Sequence, residues 1–163
     1  MRFHLLDRIV EVTPGRSLRA VKNLTLGEEY LGDHFPGFPV MPGVLMLQTL
    51  VEAGSWLLRL TEDYRHSVIA LREARNLKYG NFMEPGRQMK IEVEWAERGD
   101  GQAVFKGRGE ADGQTTVSAR ITLATYNLAD RDPVLKAVDE RIVQQLREQY
   151  TVLQLTSGTT RSS

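Results

Sequence analysis

The chain has no cysteine. That excludes disulfides, thiolate nucleophiles and cysteine-based metal sites. Histidine is scarce as well. His4, His34 and His66 lie far apart, and none belongs to an HxxxH or HExxH pattern, so no metal centre is expected. An excess of one charge is also lacking. The 21 Lys plus Arg balance the 21 Asp plus Glu, which argues against a chain built mainly to coat nucleic acid or an anionic membrane. No long uninterrupted apolar run exists. Val44 to Leu60 is broken by Gln48, Glu52 and Arg59 and is short for a membrane span. The opening MRFHLLDRIVEV mixes acid and base and lacks the apolar centre of a signal peptide. A soluble cytoplasmic protein is the expectation. The 163 residues suffice for one domain with a substantial core, and neither a repeat nor a second domain is visible.

What is present falls into elements. Residues 3–12 read as a short helix or strand. Thr13-Pro14-Gly15 is a turn signal, and SLRAVKNLTL (17–26) reads as a strand with mixed faces. Residues 27–42 form a long irregular segment, and long loops inside compact domains are often functional. Residues 43–60 read as a helix, apolar around most of its circumference and therefore buried. Gln48, Glu52, Ser55 and Arg59 form one polar stripe along it. Residues 68–78 are expected to be a strand. Residues 87–97, 102–110 and 114–126 alternate with period two and close a three-strand antiparallel meander, with turns at Arg98-Gly99-Asp100-Gly101 and Asp112-Gly113. Asp132-Pro133 then starts an amphipathic helix through Leu135, Val138, Ile142, Leu146 and Tyr150. The last seven residues, SGTTRSS, are small and polar and are expected to be disordered. The class is α+β, with a sheet of five or six strands wrapped around one long helix and the structure completed by pairing two copies. Residues 1–126 form the domain. Residues 127–163 add a helix and a flexible tail.

Residues 34–48, HFPGFPVMPGVLMLQ, carry the chemistry. A loop stiffened by Pro36, Pro39 and Pro42 delivers a histidine to the start of a buried helix. HFPGFPVMPGVLM closely resembles the signature of the 3-hydroxyacyl-acyl carrier protein dehydratases of fatty acid synthesis. LLDRIVEVTPG, AVKNLTLGEEYLGDHFPG and EPGRQMKIEVEW resemble that family's flanking segments, and the likeness spans about residues 3–126. It implies a hot-dog fold, in which a curved antiparallel sheet wraps a central helix. It also implies homodimers or higher oligomers with a site shared between protomers. The implied substrates are thioesters on acyl carrier protein or CoA, with no cofactor. The implied reaction removes water from a 3-hydroxyacyl thioester to give the trans-2-enoyl product.

The family's roles map onto this sequence as follows. His34 matches the catalytic base, a suitable residue because imidazole titrates near neutrality. Gly43 matches the backbone N–H that binds the thioester oxygen, helped by the helix dipole. Gln48 is the departure, because the family has an acid there. An amide can hydrogen-bond a hydroxyl or a water but cannot donate a proton and remain a stable amide. Several readings stay open. Glu52, one turn further on, supplies the acid; or Gln48, with Thr49 beside it, orients a water as in some hot-dog thioesterases. Alternatively the site binds an acyl chain or a carrier without turnover, as a subunit of an acyl-modifying assembly. A dehydratase that tolerates glutamine by placing a protonating water completes the set.

Phe35 and Phe38, with Val44 and Leu47, are candidates to line an acyl channel, although loop phenylalanines often serve as packing anchors and Val44 and Leu47 are core residues by default. Arg72, Arg75, Lys78 and Arg87 are a candidate landing area for an acidic carrier, against the plainer reading of a solvated face. His4 and His66 are expected at the surface.

Overall fold

The computed structural model describes residues 4–34 and 37–155. Phe35, Pro36 and the tail of residues 157–163 lie outside the described residues. Six strands form one antiparallel sheet: β1 (Arg8–Thr13), β2 (Ser17–Asn23), β3 (Val68–Tyr79), β4 (Gln88–Gly99), β5 (Gln102–Ala111) and β6 (Gln114–Tyr126). Their order is β1-β2-β4-β5-β6-β3. Residues 8–13 are thus a strand, which decides between the two readings of that segment. The β5–β6 hairpin is set by Asp112 and Gly113, whose φ values of 52° and 77° suit a tight two-residue turn.

Helix α1 (Gly43–Thr61) lies on β2, β4, β5 and β6. It fits there because the strands alternate. Met89, Ile91 and Val93 of β4, Ala103 and Phe105 of β5, and Val117, Ile121 and Leu123 of β6 turn inward and are buried. Leu50, Trp56, Leu57 and Leu58 of α1 meet them. Each fully buried aliphatic or aromatic side chain of this kind contributes about 1.5–3 kcal/mol. The opposite face carries Lys90, Glu92, Glu94, Lys106, Arg108 and Arg120. This is the curved sheet around a helix that defines the hot-dog fold.

One expectation fails at the start of α1. Val44 is 69% exposed, and complete burial begins only at Met46. The apolar composition is uniform along the helix, but the sheet does not reach its first turn. Strand β3 shows a related feature. It pairs only with β6, has register irregularities between Leu71 and Glu73 and between Arg75 and Lys78, and leaves Leu71, Leu77 and Tyr79 exposed.

Helix α2 (Lys136–Leu155) packs back over the C-terminal half of α1. The Tyr150 ring lies 5.7 Å from that of Trp56, Leu153 is buried, and Arg147 stacks 4.3 Å over Tyr64. The start of α2 is pinned by Asp139. Its buried carboxylate accepts from the Ser67 hydroxyl and from the Leu128 and Ala129 N–H groups, the latter two at 2.9 Å. Burial opposes the charge on Asp139, yet those donors prevail and hold its carboxyl below the ordinary value of 3.8. Among the described residues, no helix is long and apolar enough to cross a membrane.

Candidate active site

Histidine 34 is held at the end of a clamped segment. On β2, Leu18, Ala20 and Lys22 share the inward face, so a lysine is buried where an apolar residue would be expected. Its ammonium reaches Glu28 at 2.7 Å. Glu28 also accepts from the Thr25 N–H at 3.3 Å and from the Tyr30 hydroxyl. Burial and the Glu28 carboxylate together push the Tyr30 phenol well above its ordinary range. This network fixes the short 3-10 turn Glu29–Gly32, with Leu31 buried beneath it. The Tyr30 carbonyl then accepts the His34 N–H at 3.2 Å.

The imidazole is held by the chain that follows. His34 Nδ1 lies 3.1 Å from the Val40 carbonyl. A carbonyl only accepts, so Nδ1 donates, and in the neutral ring the lone pair is on Nε2. Val40 is itself immobile, being 1% exposed, and the next N–H, of Met41, donates to Met83 at 2.8 Å. The ring is half-buried. This is the tautomer and the restraint that a general base requires.

Three residues after Val40, α1 begins at Gly43; its N-cap is Pro42. Proline offers neither an N–H nor a capping side chain, and no side chain caps the helix. Its first N–H groups therefore face outward without a capping acceptor, at the positive end of the helix dipole. At Gly43 an aromatic ring comes close. A methyl group on Gly43 would stand 2.9 Å from Tyr79 Cζ and 3.0 Å from its Cε1, closer than such atoms approach. A side chain at Gly43 would push the Tyr79 ring aside. Tyr79 is positioned in turn by Gly80, whose missing side chain lets β3 run against the Thr115 carbonyl, only 2.0 Å from where a Cβ would be.

Phe38 and Phe82 meet edge-on, 5.6 Å between centroids, and both are largely exposed. Val44, in the first turn of α1, is exposed, and Leu47 is half-buried. Phe35 lies outside the described residues.

Residues 1–120 match the FabA-like domain family. The chain belongs to that family. It is 35% identical over 130 residues to the 3-hydroxyacyl-acyl-carrier-protein dehydratase FabZ of Shewanella loihica, covering 78% of this chain and 85% of that protein. It is 33% identical over 117 residues to FabZ of Lactobacillus helveticus, covering 72% and 79%. Among solved structures, it resembles the dehydratase heterocomplex ApeI:P from Xenorhabdus doucetiae, with a TM-score of 0.68 and 14% identity over 82% of this chain and 90% of that one. A mutant thioesterase from Pseudomonas aeruginosa is more distant in shape, with a TM-score of 0.57 and 20% identity over 73% and 80%.

Within this FabA-like chain the polar stripe of α1 separates into different tasks. Gln48 is half-buried, and among the described residues its amide makes no hydrogen bond. Thr49 turns away from it: its hydroxyl is fully buried and donates to the Met46 carbonyl at 2.6 Å. Glu52 is occupied elsewhere. Its two oxygens accept the Leu5 N–H and one accepts the Leu6 N–H, all at 3.1 Å. Burial pushes its carboxyl above the usual range, against the pull of those donors and of Arg59 and Lys22. Ser55 donates to the Val51 carbonyl at 2.7 Å, and Arg59 stacks 5.3 Å from the Trp56 ring centroid. Burial brings the Arg59 guanidinium down to about 10.

Three of the four basic residues considered as a landing area have partners within the chain. Arg72 bonds Gln102, Arg75 pairs with Glu73, and Arg87 lies between Glu84 and Asp112. His4 is exposed and bonds Gln149, whereas His66 is partly covered, 3.6 Å from Glu62. Among the described residues no three His, Asp or Glu side chains are grouped as a metal site. Sequence reading missed Tyr79 and the Lys22–Glu28–Tyr30 clamp. Lysine on the apolar face of a period-two strand was the available signal for the clamp.

Proposed function

We propose that this protein dehydrates 3-hydroxyacyl thioesters to trans-2-enoyl thioesters, with His34 as base and the Gly43 N–H as donor to the thioester oxygen. The observation that carries this reading is the Nδ1 contact of His34 with the Val40 carbonyl, which leaves Nε2 as a proton acceptor. His34 Nε2 takes a proton from C2. The electron pair becomes the C2–C3 double bond as the C3–O bond breaks. Negative charge that builds on the thioester oxygen meets the Gly43 N–H at the helix start. The proton held by the imidazolium returns to the departing hydroxide through a water oriented by Gln48, so the products are the enoyl thioester and one water. Glu52 anchors the N-terminal segment in this reading and does not serve as the acid, because its oxygens already accept the Leu5 and Leu6 N–H groups.

Phe38, Val44, Leu77, Tyr79 and Phe82, exposed in one protomer, are covered in this account by a second copy pairing along β3. Acyl groups enter on acyl carrier protein or CoA at that seam. The rival thioesterase reading loses support at Thr49, whose hydroxyl is committed to the helix backbone.

The test is direct. Supply a 3-hydroxyacyl thioester and follow both the absorbance of the conjugated enoyl thioester and the release of free thiol. Enoyl formation that disappears in His34→Ala supports the proposal. Free thiol without enoyl product replaces it with a thioesterase, and saturable binding without either product replaces it with an acyl-binding subunit.

A further inference from the structure

The aromatic ring on Gly43 belongs to a tyrosine, and its hydroxyl-bearing carbon is the atom nearest the glycine. A Cβ at Gly43 would lie 2.9 Å from Cζ, closer than to Cε1 or to Cε2 at 3.2 Å. The ring therefore lies across Gly43 near its hydroxyl-bearing end, with Cζ and both Cε atoms nearest. Tyr79 is 47% exposed, so its side chain is not buried in the core. Among the described residues that hydroxyl makes no hydrogen bond. Its backbone leaves little freedom. The neighbouring Gly80 N–H donates to the Thr116 carbonyl at 2.9 Å, and the Asn81 N–H donates to Thr115 at 3.1 Å. A phenolic O–H donates one hydrogen bond. The Tyr79 O–H is thus borne by a carbon that packs on Gly43, the residue whose N–H is the other donor.

We infer that the Tyr79 hydroxyl is a second donor to the thioester oxygen, completing an oxyanion site with the Gly43 N–H. This rests on the function proposed above, since it takes the Gly43 N–H as the first donor. A ligand oxygen about 3 Å from an oxyanion donor is within reach of a phenol seated on the same residue. Two donors also suit a site whose helix presents the amide Gln48 where an acid would assist the leaving group. Stronger stabilisation of the enolate offsets weaker protonation of the hydroxide.

The measurement uses an unreactive probe, the butyryl thioester of pantetheine carrying a carbon-13 carbonyl, and reads its stretching frequency bound to the intact protein. Binding to the wild type is expected to lower that frequency. Tyr79→Phe, which keeps the ring on Gly43, is expected to bind the probe yet recover part of the shift. Its kcat for dehydration falls about 100-fold, the scale for losing one oxyanion donor, with KM little changed. His34→Ala keeps the full carbonyl shift and loses turnover. An unchanged shift and unchanged kcat in a folded Tyr79→Phe overturn the inference, as does a wild type that binds the probe without any shift. If the shift depends on Tyr79 but no 3-hydroxyacyl thioester is dehydrated, the donor assignment stands and the dehydratase reading falls. A wild type that does not bind the probe overturns both.

Discussion

At the scale of single residues, the site is defined by what each atom is already doing. His34 Nδ1 is engaged by Val40, the Thr49 hydroxyl by Met46, and the Glu52 oxygens by Leu5 and Leu6. In the proposed mechanism Gln48 acts on the leaving group, and it lacks a transferable proton. Gln48→Glu is therefore expected to raise the dehydration rate about 100-fold or more, the scale of a positioned acid, measured as enoyl thioester formed per second. No gain would place the proton donor elsewhere. Gly43→Ala is expected to lose about 100-fold through displacement of Tyr79 or the helix start, since misplacement by an ångström costs that much, while circular dichroism shows the fold retained. His34, Gly43 and Gln48 could be nominated from the sequence because they share one local motif. Tyr79 was not, because β3 meets Gly43 only after the whole of α1 has intervened in the chain. Nothing in a period-two strand says which end of a tyrosine ring touches a neighbour.

At the scale of elements, two buried carboxylates tether segments to the sheet-and-helix core and respond oppositely to pH. Glu52 holds the N-terminal segment, and its folded pKa is raised above the ordinary 4.5. The folded state then keeps the proton longer than the unfolded one, so its contribution is greatest below pH 4.5 and is lost as pH rises through the folded value. Asp139 holds the start of α2, and its folded pKa is lowered from 3.8. Its contribution is present above 3.8 and is lost as pH falls through the folded value. Unfolding of the wild type compared with Glu52→Gln should show an advantage that shrinks as pH rises, and compared with Asp139→Asn an advantage that grows. The reverse slope in either pair would contradict the assigned tether. The two rings joining α2 to α1, Trp56 and Tyr150, should couple by about 1 kcal/mol in a double-mutant cycle. The amphipathic spacing of α2 was readable in the sequence, but its seat was not. The inward seam includes Asp139 and Leu153, so a buried acid and not the apolar stripe alone sets its angle.

At the scale of the whole molecule, one side of the chain leaves apolar surface open. Strand β3 is an edge, and Val44, Phe38, Phe82 and Tyr79 are exposed. A specific interface buries about 1,200–2,000 Å² in total, and this surface offers the apolar centre of one. Sedimentation is expected to show a dimer or larger assembly, with Val44→Glu shifting it toward monomer and reducing turnover. A monomeric, fully active wild type would exclude the shared site. Alternation in β4, β5 and β6 and the apolar run of α1 made the sheet and its helix readable, whereas the exposed first turn of α1 depends on where the sheet ends. The most direct test of the whole account is whether the imidazole and the helix-start donor act on one thioester, and it does not depend on Gln48. Incubate the protein in heavy water with a 3-hydroxyacyl thioester and follow deuterium entering C2 by NMR. The account predicts exchange by the wild type that vanishes in His34→Ala; no exchange in the wild type, or equal exchange in the variant, would contradict it.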